Sequence, residues 1–173
     1  MIKYIQNKTH YTEVLQKCKT VKRTLWIGTA DIKDVYVKDG LSGSKPFLSV
    51  LNDLLKSGVE IRLLYAKDPG PNFREDFDKY PLLAKHLEQA HCPRVHFKIF
   101  VFDSCEVYIG SANLTGAGIG MKGEQSRNFE AGILTDLPEL VEPAISQFDE
   151  VWNGSQCTNC GRKKYCPLPI AEY

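Results

Sequence analysis

The chain has 173 residues, with 22 Lys and Arg against 21 Asp and Glu and 43% apolar content. This excludes a disordered, collagenous or disulfide-scaffold protein, and a single domain of this length buries roughly 70% of its unfolded surface. The net charge of +1 excludes a global field that would hold a polyanion, so any nucleic-acid affinity has to come from a local basic patch.

In chain order, Thr9 as a possible cap and Val14, Leu15 and Cys18 at helical spacing predict a short amphipathic helix over residues 9 to 19. TLWIGTA, residues 24 to 30, reads as a strand, and the polar stretch from Asp31 to Ser44 as a long loop. The clearest helix is capped by Ser44, carries Pro46 in its first turn and ends at Gly58, with Phe47, Leu48, Val50, Leu51, Leu54 and Leu55 on its apolar face. VEIRLLYA, residues 59 to 66, reads as the next strand, so helix and strand alternate as in an α/β protein. Residues 67 to 80 read as loop with at most a turn of helix, and a helix is expected from Pro81 to about Ala90.

VHFKIFVF, residues 95 to 102, is apolar on both parities except at His96 and Lys98, the pattern of a central strand covered on both faces. A four-residue turn at Asp103 to Glu106 and a returning strand at Val107 to Ile109 lead into GSAN and the glycine-rich LTGAGIGMKG. NFEAGIL, residues 128 to 134, is the last predicted strand. A helix capped by Asp136, with Glu139 three residues on, runs to Trp152. Trp26 and Trp152 are expected in the core rather than as stacking platforms for bases.

His96 and Lys98 are two residues apart, so a strand projects both side chains from one face. Pairing Phe102 with Val107 places Lys98 opposite Ser111 and His96 opposite Asn113, roughly 5 Å apart across the hairpin. An imidazole, an ammonium, a hydroxyl and a carboxamide on one face suit a phosphate: Lys98 supplies charge, Ser111 and Asn113 supply donors, and neutral His96 supplies a nitrogen nucleophile.

HFKIFVFD followed by GSAN resembles the HxK(x)4D and GSxN motif of the phospholipase D superfamily. His96, Lys98 and Asp103 have the family spacing, Gly110, Ser111 and Asn113 follow, and NFEAG supplies Glu130 where members place a supporting acid. The resemblance spans about residues 20 to 152 and implies a mixed sheet with helices on both faces. It further implies that His96 attacks phosphorus to form a covalent phosphohistidine while Lys98 and Asn113 hold the phosphoryl oxygens. Asp103 carries over as a structural or orienting carboxylate, and Glu130 as the acid that fixes the His96 tautomer. The interval from Asn113 to Glu130 is long for a compact member, which leaves Glu124 as an alternative acid. Members with two motifs use one histidine as nucleophile and the other as acid, whereas this chain has one motif. The resemblance therefore implies a homodimer with one site built from two copies of His96, a bell-shaped pH profile, and no cofactor for catalysis. Lys122 and Arg127, in the lip that follows GSAN, are the candidate substrate-binding residues.

The last seventeen residues hold Cys157, Cys160 and Cys166, whereas Cys18, Cys92 and Cys105 are scattered. No apolar run approaches the ~20 residues that cross a bilayer and the N-terminal stretch lacks the apolar core of a signal peptide, so a cytoplasmic protein without membrane insertion is expected. In a reducing compartment a CxxC followed by a third cysteine reads as a metal knuckle before a disulfide. Zinc is the expected structural ion with Cys92 as fourth ligand and His91 as the alternative; an iron–sulfur cluster accepts the same thiolates.

The expected organisation is a catalytic domain over residues 1–153 and a cysteine-rich metal-binding extension over 154–173 packed on it. The expected activity is a phosphodiesterase, foremost a nuclease acting on DNA or RNA. A cardiolipin-type phospholipid phosphodiesterase is the alternative, and a phosphate-binding module without turnover, within a larger defence or repair assembly, is the third reading.

Overall fold

A computed structural model describes residues 1–170. Its organising element is the strand β7, Lys98–Phe102, all five residues of which are buried. Apolar side chains on both parities leave neither face of such a strand suited to water, so the chain covers both. β7 lies centrally in a seven-stranded sheet whose members are β1 (Ile2–Gln6), β2 (Thr24–Thr29), β5 (Glu60–Tyr65), β6 (Glu88–His91), β7, β8 (Glu106–Gly110) and β9 (Ala131–Thr135), in the order β1-β9-β8-β7-β2-β5-β6. The pairs β2–β5 and β5–β6 are parallel and the other pairs antiparallel. A separate hairpin is formed by β3 (Tyr36–Asp39) and β4 (Gly43–Pro46).

One face of the sheet is covered by α1 (Phe47–Lys56), α2 (Pro71–Asp78), α3 (Pro81–His86) and the segment 10–20, which pack with Leu25, Ile27, Phe100, Phe102 and Tyr108. The other face is covered by α4 (Pro138–Trp152), whose Val141 and Ala144 meet Ile99, Val101 and Val107, while Phe148 joins Leu64 and Val95. Burying Phe148 completely contributes about 2–3 kcal/mol. The expected mixed sheet with helices on both faces is the observed architecture. Trp26 and Trp152 are half-buried at its margin, where they hold the Arg62 guanidinium at 4.7 and 5.2 Å from their ring centres. Arg62 also reaches Glu88 and Asp149 at 3.2 and 3.3 Å, tying α4 to the parallel half of the sheet.

Several elements differ from the sequence reading. Residues 10–20 form a π-helical turn, His10–Leu15, running into a 3-10 turn, Gln16–Thr20, rather than an α-helix. The expected loop after β2 contains the β3–β4 hairpin, so Ser44 is a strand residue and Pro46 stands at the N-cap of α1. Residues 71–78 make two turns of α2, started by Pro71, whose missing N–H is no loss at a helix N-terminus. The helix from Pro81 stops at His86, and β6 follows as a parallel edge strand. Asp136 pairs with the N-terminal amine instead of capping α4, whose N-cap is Leu137.

Candidate active site

The β7–β8 turn sets the geometry of the site. It contains three residues rather than four: Phe102 pairs with Glu106, Phe100 with Tyr108 and Lys98 with Gly110. The predicted register, Lys98 opposite Ser111, is therefore off by one residue. Asp103 and Ser104 take up the difference at φ +51° and +58°, a left-handed conformation that Asp tolerates. The Asp103 carboxylate accepts N–H groups of Lys22, Arg23 and Thr24 at 2.6–3.1 Å, which fastens the turn to the start of β2. Burial resists its ionisation, but these three donors prevail and hold its pKa below the usual carboxylate value. Asp103 lies at the far end of β7 from Lys98, about 16 Å along the strand.

The opposite end of the hairpin gathers the chemistry. β2 ends there at Thr29, β7 begins there at Lys98, β8 ends at Gly110 and β9 begins at Ala131. Gly110 faces Lys98 across the ladder, and a Cβ on it would lie 2.2 Å from the Tyr108 hydroxyl and 2.7 Å from the Ala131 carbonyl. The glycine of GSAN is thus required by close packing. The buried Tyr108 hydroxyl lies 3.4 Å from the Ala112 N–H that it accepts.

Lys98 is 6% exposed, and its Nζ donates to the His96 carbonyl at 2.7 Å and lies 3.5 Å from His96 Nδ1. Burial lowers the Lys98 pKa, with the Glu130 charge opposing. An ammonium has three hydrogens, so one donor remains for an incoming oxygen. His96 itself is exposed.

Asn113 is oriented from below. Its Oδ1 accepts the Asp31 N–H at 3.1 Å and lies 3.3 Å from Thr29 Oγ1, which also donates to the Asp31 carbonyl and accepts the Leu114 N–H. With Oδ1 engaged, the Nδ2 hydrogens have no partner among the described residues and are available to a ligand oxygen. Ser111 Oγ bonds Glu130 Oε2, while Glu130 Oε1 accepts Asn128 Nδ2 at 3.0 Å. The expected bond from Glu130 to His96 is not formed; the register shift leaves Ser111 beside β9, and the acid is occupied there. Glu124, the alternative acid, is exposed and pairs with Arg127 at 3.6 Å. Lys122 is exposed on the same lip. Thr29, Asn128 and Tyr108 were missed from sequence because each acts through a contact with a residue distant in the chain.

The four cysteines expected as metal ligands lie elsewhere. Cys92, Cys157, Cys160 and Cys166 line one cleft of about 230 Å³ on the α4 side. Among the described residues no three His, Cys, Asp or Glu side chains are gathered as a metal site, so the expected zinc geometry is not formed. His91 donates through Nε2 to the Ala66 carbonyl at 2.9 Å, provided that nitrogen carries the proton.

A family model described as "Cardiolipin synthase, PLD-like domain" matches residues 12–152. Among solved structures the chain is similar to NucT from Helicobacter pylori, with 14% identity, a TM-score of 0.62, and coverage of 87% of this chain and 95% of that one. It is also similar to Nuc, a phospholipase D family member from Salmonella typhimurium, with 18% identity, a TM-score of 0.60, and coverage of 88% and 94%. The phosphatidylserine synthase of Haemophilus influenzae Rd KW20 shares the fold at 12% identity and a TM-score of 0.60, over 86% of this chain and 36% of that one. No curated protein matches.

Proposed function

Since the chain belongs to the phospholipase D superfamily, a group of phosphodiesterases that need no catalytic cofactor, we propose that it is a homodimeric nuclease working through phosphohistidine. The observation that carries this reading is the donor set at one end of the sheet: a spare Lys98 hydrogen and both Asn113 Nδ2 hydrogens beside the exposed His96.

In the proposed mechanism an unprotonated ring nitrogen of His96 attacks phosphorus. The bond to the leaving oxygen breaks, and that oxygen takes a proton from the partner's His96. Water then bonds to phosphorus and gives one proton back to the partner's His96 as the P–N bond breaks, releasing the phosphomonoester and restoring His96. Lys98 and Asn113 bind the non-bridging oxygens, where negative charge grows. Ser111 and Glu130 brace the floor, and Asp103 sets the hairpin. One neutral and one protonated imidazole give a bell-shaped pH profile.

A second copy of the chain is supported by an uncovered apolar strip beside the site. Tyr4 pairs with Ile133, and Phe129 continues the parity of Ala131 and Ile133. Tyr4 is 65% exposed and Phe129 92%. A nucleic-acid substrate is supported by Lys33, Lys67 and Lys122, exposed on the loops around Asn113, with Lys33 tied through its N–H to the Leu114 carbonyl. No helix among the described residues is long and apolar enough to cross a membrane. Exposed Phe129 next to Glu130 favours one rival, a phospholipid headgroup substrate, for which it would form an apolar rim.

The test is cleavage of single- and double-stranded DNA, RNA and cardiolipin by the wild type and His96→Ala. Nucleic-acid cleavage lost in the variant is the expected result. Cleavage of cardiolipin alone transfers the proposal to the lipid, and binding without turnover by a dimer overturns the enzyme reading.

A further inference from the structure

RKKYC, residues 162–166, places three cations before an aromatic residue, and the phosphodiesterase site makes no use of them. Arg162, Lys164 and Tyr165 are all exposed. A 3-10 turn over Lys163–Tyr165, with the Tyr165 N–H on the Arg162 carbonyl at 2.9 Å, folds these side chains together. The Arg162 guanidinium then lies 4.9 Å and the Lys164 ammonium 4.7 Å from the centre of the Tyr165 ring. Two like charges thereby stand no more than about 10 Å apart, close to one Debye length at physiological salt, so they repel each other across the ring.

Arg94 joins this patch to the site. Its Nη1 donates to Cys160 Sγ at 3.8 Å, and the same sulfur accepts the Arg162 N–H at 3.4 Å, so one atom ties the two segments together. Both arginines line the cleft on the α4 side. Arg94 is exposed and stands two residues before His96, which limits the separation of their Cα atoms to about 7 Å. The loop that carries it is fixed by the Val95 N–H on the Cys92 carbonyl at 3.0 Å and by burial of Val95 against Leu64 and Phe148. Several cations elsewhere have acidic partners: Lys17 faces Glu106, Arg62 faces Glu88 and Asp149, and Arg74 faces Asp68. Among the described residues Arg94, Arg162 and Lys164 form no ion pair. Glu150, the carboxylate that lines the cleft, accepts Gln156 Nε2 at 2.8 Å instead.

We propose that Arg94, Arg162 and Lys164 form a docking track for the phosphate backbone of a polynucleotide strand whose scissile phosphate sits at His96. The track rests on the nuclease reading and extends it from the reacting phosphate to its neighbours in the strand. A run of cations that starts two residues from the nucleophile and continues outward matches a ligand whose next phosphates are covalently linked to the first. A lipid carries its neighbouring phosphates on separate molecules. Guanidinium forks and an ammonium bind phosphate oxygens without reading bases, so the track fixes position rather than sequence. Tyr165 is a positioning residue: it gathers the two outer charges on one ring, and bound phosphates relieve their repulsion. In a chain of net charge +1 these contacts supply an attraction that the overall charge does not.

The test is fluorescence-anisotropy titration of a labelled single-stranded DNA, about 20 nucleotides long, with His96→Ala protein, which binds without cutting, at several salt concentrations. Adding Arg94→Ala, Arg162→Ala and Lys164→Ala together should raise Kd at least about tenfold. It should also reduce the slope of log Kd against log salt by about two, the single-strand value for three lost phosphate contacts. Arg162→Lys, which keeps the charge, should hold affinity within about threefold. Lys38→Ala, Lys56→Ala and Lys85→Ala together remove the same charge from exposed positions on the α1–α3 side, and should change Kd by less than about twofold. With His96 intact, the loss in the Arg94, Arg162 and Lys164 variant should appear as a raised KM for the oligonucleotide. Circular dichroism checks the folding of each variant. Equal losses in the two triple variants, an unchanged salt slope, or weakened binding to cardiolipin vesicles with oligonucleotide binding intact would overturn the proposal. Wild-type cleavage of nucleic acid with undiminished binding by the track variant overturns the track alone, whereas binding through the track with no cleavage by wild type overturns the nuclease reading alone.

Discussion

Burying Lys98 to 6% of its open exposure removes water from a charge whose compensation is a carbonyl and the field of Glu130. A base whose folded pKa lies below its unfolded value destabilises the fold while protonated; the penalty is full below the folded value and is relieved as pH rises from there to the unfolded value. While protonated, Lys98 is a charge that the fold would be better without. Lys98→Met should therefore reduce kcat/KM by about 10²- to 10³-fold without lowering the melting temperature, as phosphodiesterase kinetics and calorimetry would show. Asp103 has the opposite sign. Its folded pKa is depressed, so its contribution is present above the unfolded carboxylate value and is lost as pH falls through the folded one. Asp103→Asn should lose about 1–3 kcal/mol at neutral pH, with the gap from wild type closing below about pH 4, read from urea midpoints across pH. The family resemblance already gives Lys98 to the phosphoryl oxygens and Asp103 a structural or orienting part; what the fold adds is that Asp103 fastens its turn to backbone about 80 residues away in the chain. Thr29 had no motif to mark it. Thr29→Val should lower kcat about tenfold with little change in KM if it only orients Asn113, a split that steady-state kinetics resolves.

Among the elements, the strands and helices with long apolar runs were legible: β2, β5, β7 and α4 lie within a few residues of where periodicity put them. The edge strands were not. β6 reads EQAH, and β1 has one buried residue in five, so neither carries an alternation that distinguishes strand from helix end or loop. The hairpin register was missed for a local reason: two consecutive left-handed residues at Asp103 and Ser104 shorten the turn, and the period-two geometry then moves every facing pair. That slip breaks the predicted Lys98–Ser111 pair and sends Ser111 to Glu130. The site survives because the strand ends, rather than the cross-strand pairs, bring its residues together. Gly28 shows how closely β2 supports them. A Cβ there would lie 2.4 Å from the ring of Phe97, the residue between His96 and Lys98. Gly28→Ala should cost about 1–3 kcal/mol and depress turnover beyond what the lost stability explains, measured by denaturant unfolding and activity at a temperature where the variant is folded.

At the scale of the molecule, one motif per chain leaves the proposed acid unassigned unless a second copy supplies it. The strip of Tyr4, Ile133 and Phe129 beside Ser111 is the face that the account gives to that copy. Tyr4→Asp combined with Phe129→Asp should convert dimer to monomer in light scattering and abolish turnover while preserving the circular dichroism spectrum. Net charge of +1 predicts that nucleic-acid affinity rests on a few loop lysines and falls with salt at a shallow slope, about one per phosphate contacted. The central claim is that His96 forms a covalent bond to phosphorus. The most direct measurement is intact and peptide mass spectrometry of protein rapidly quenched in alkali during turnover, conditions in which phosphohistidine persists. The expected result is an adduct of the phosphoryl group with its remaining ester on the peptide carrying His96, absent in His96→Ala, and undiminished cleavage by His96→Ala would contradict the covalent mechanism.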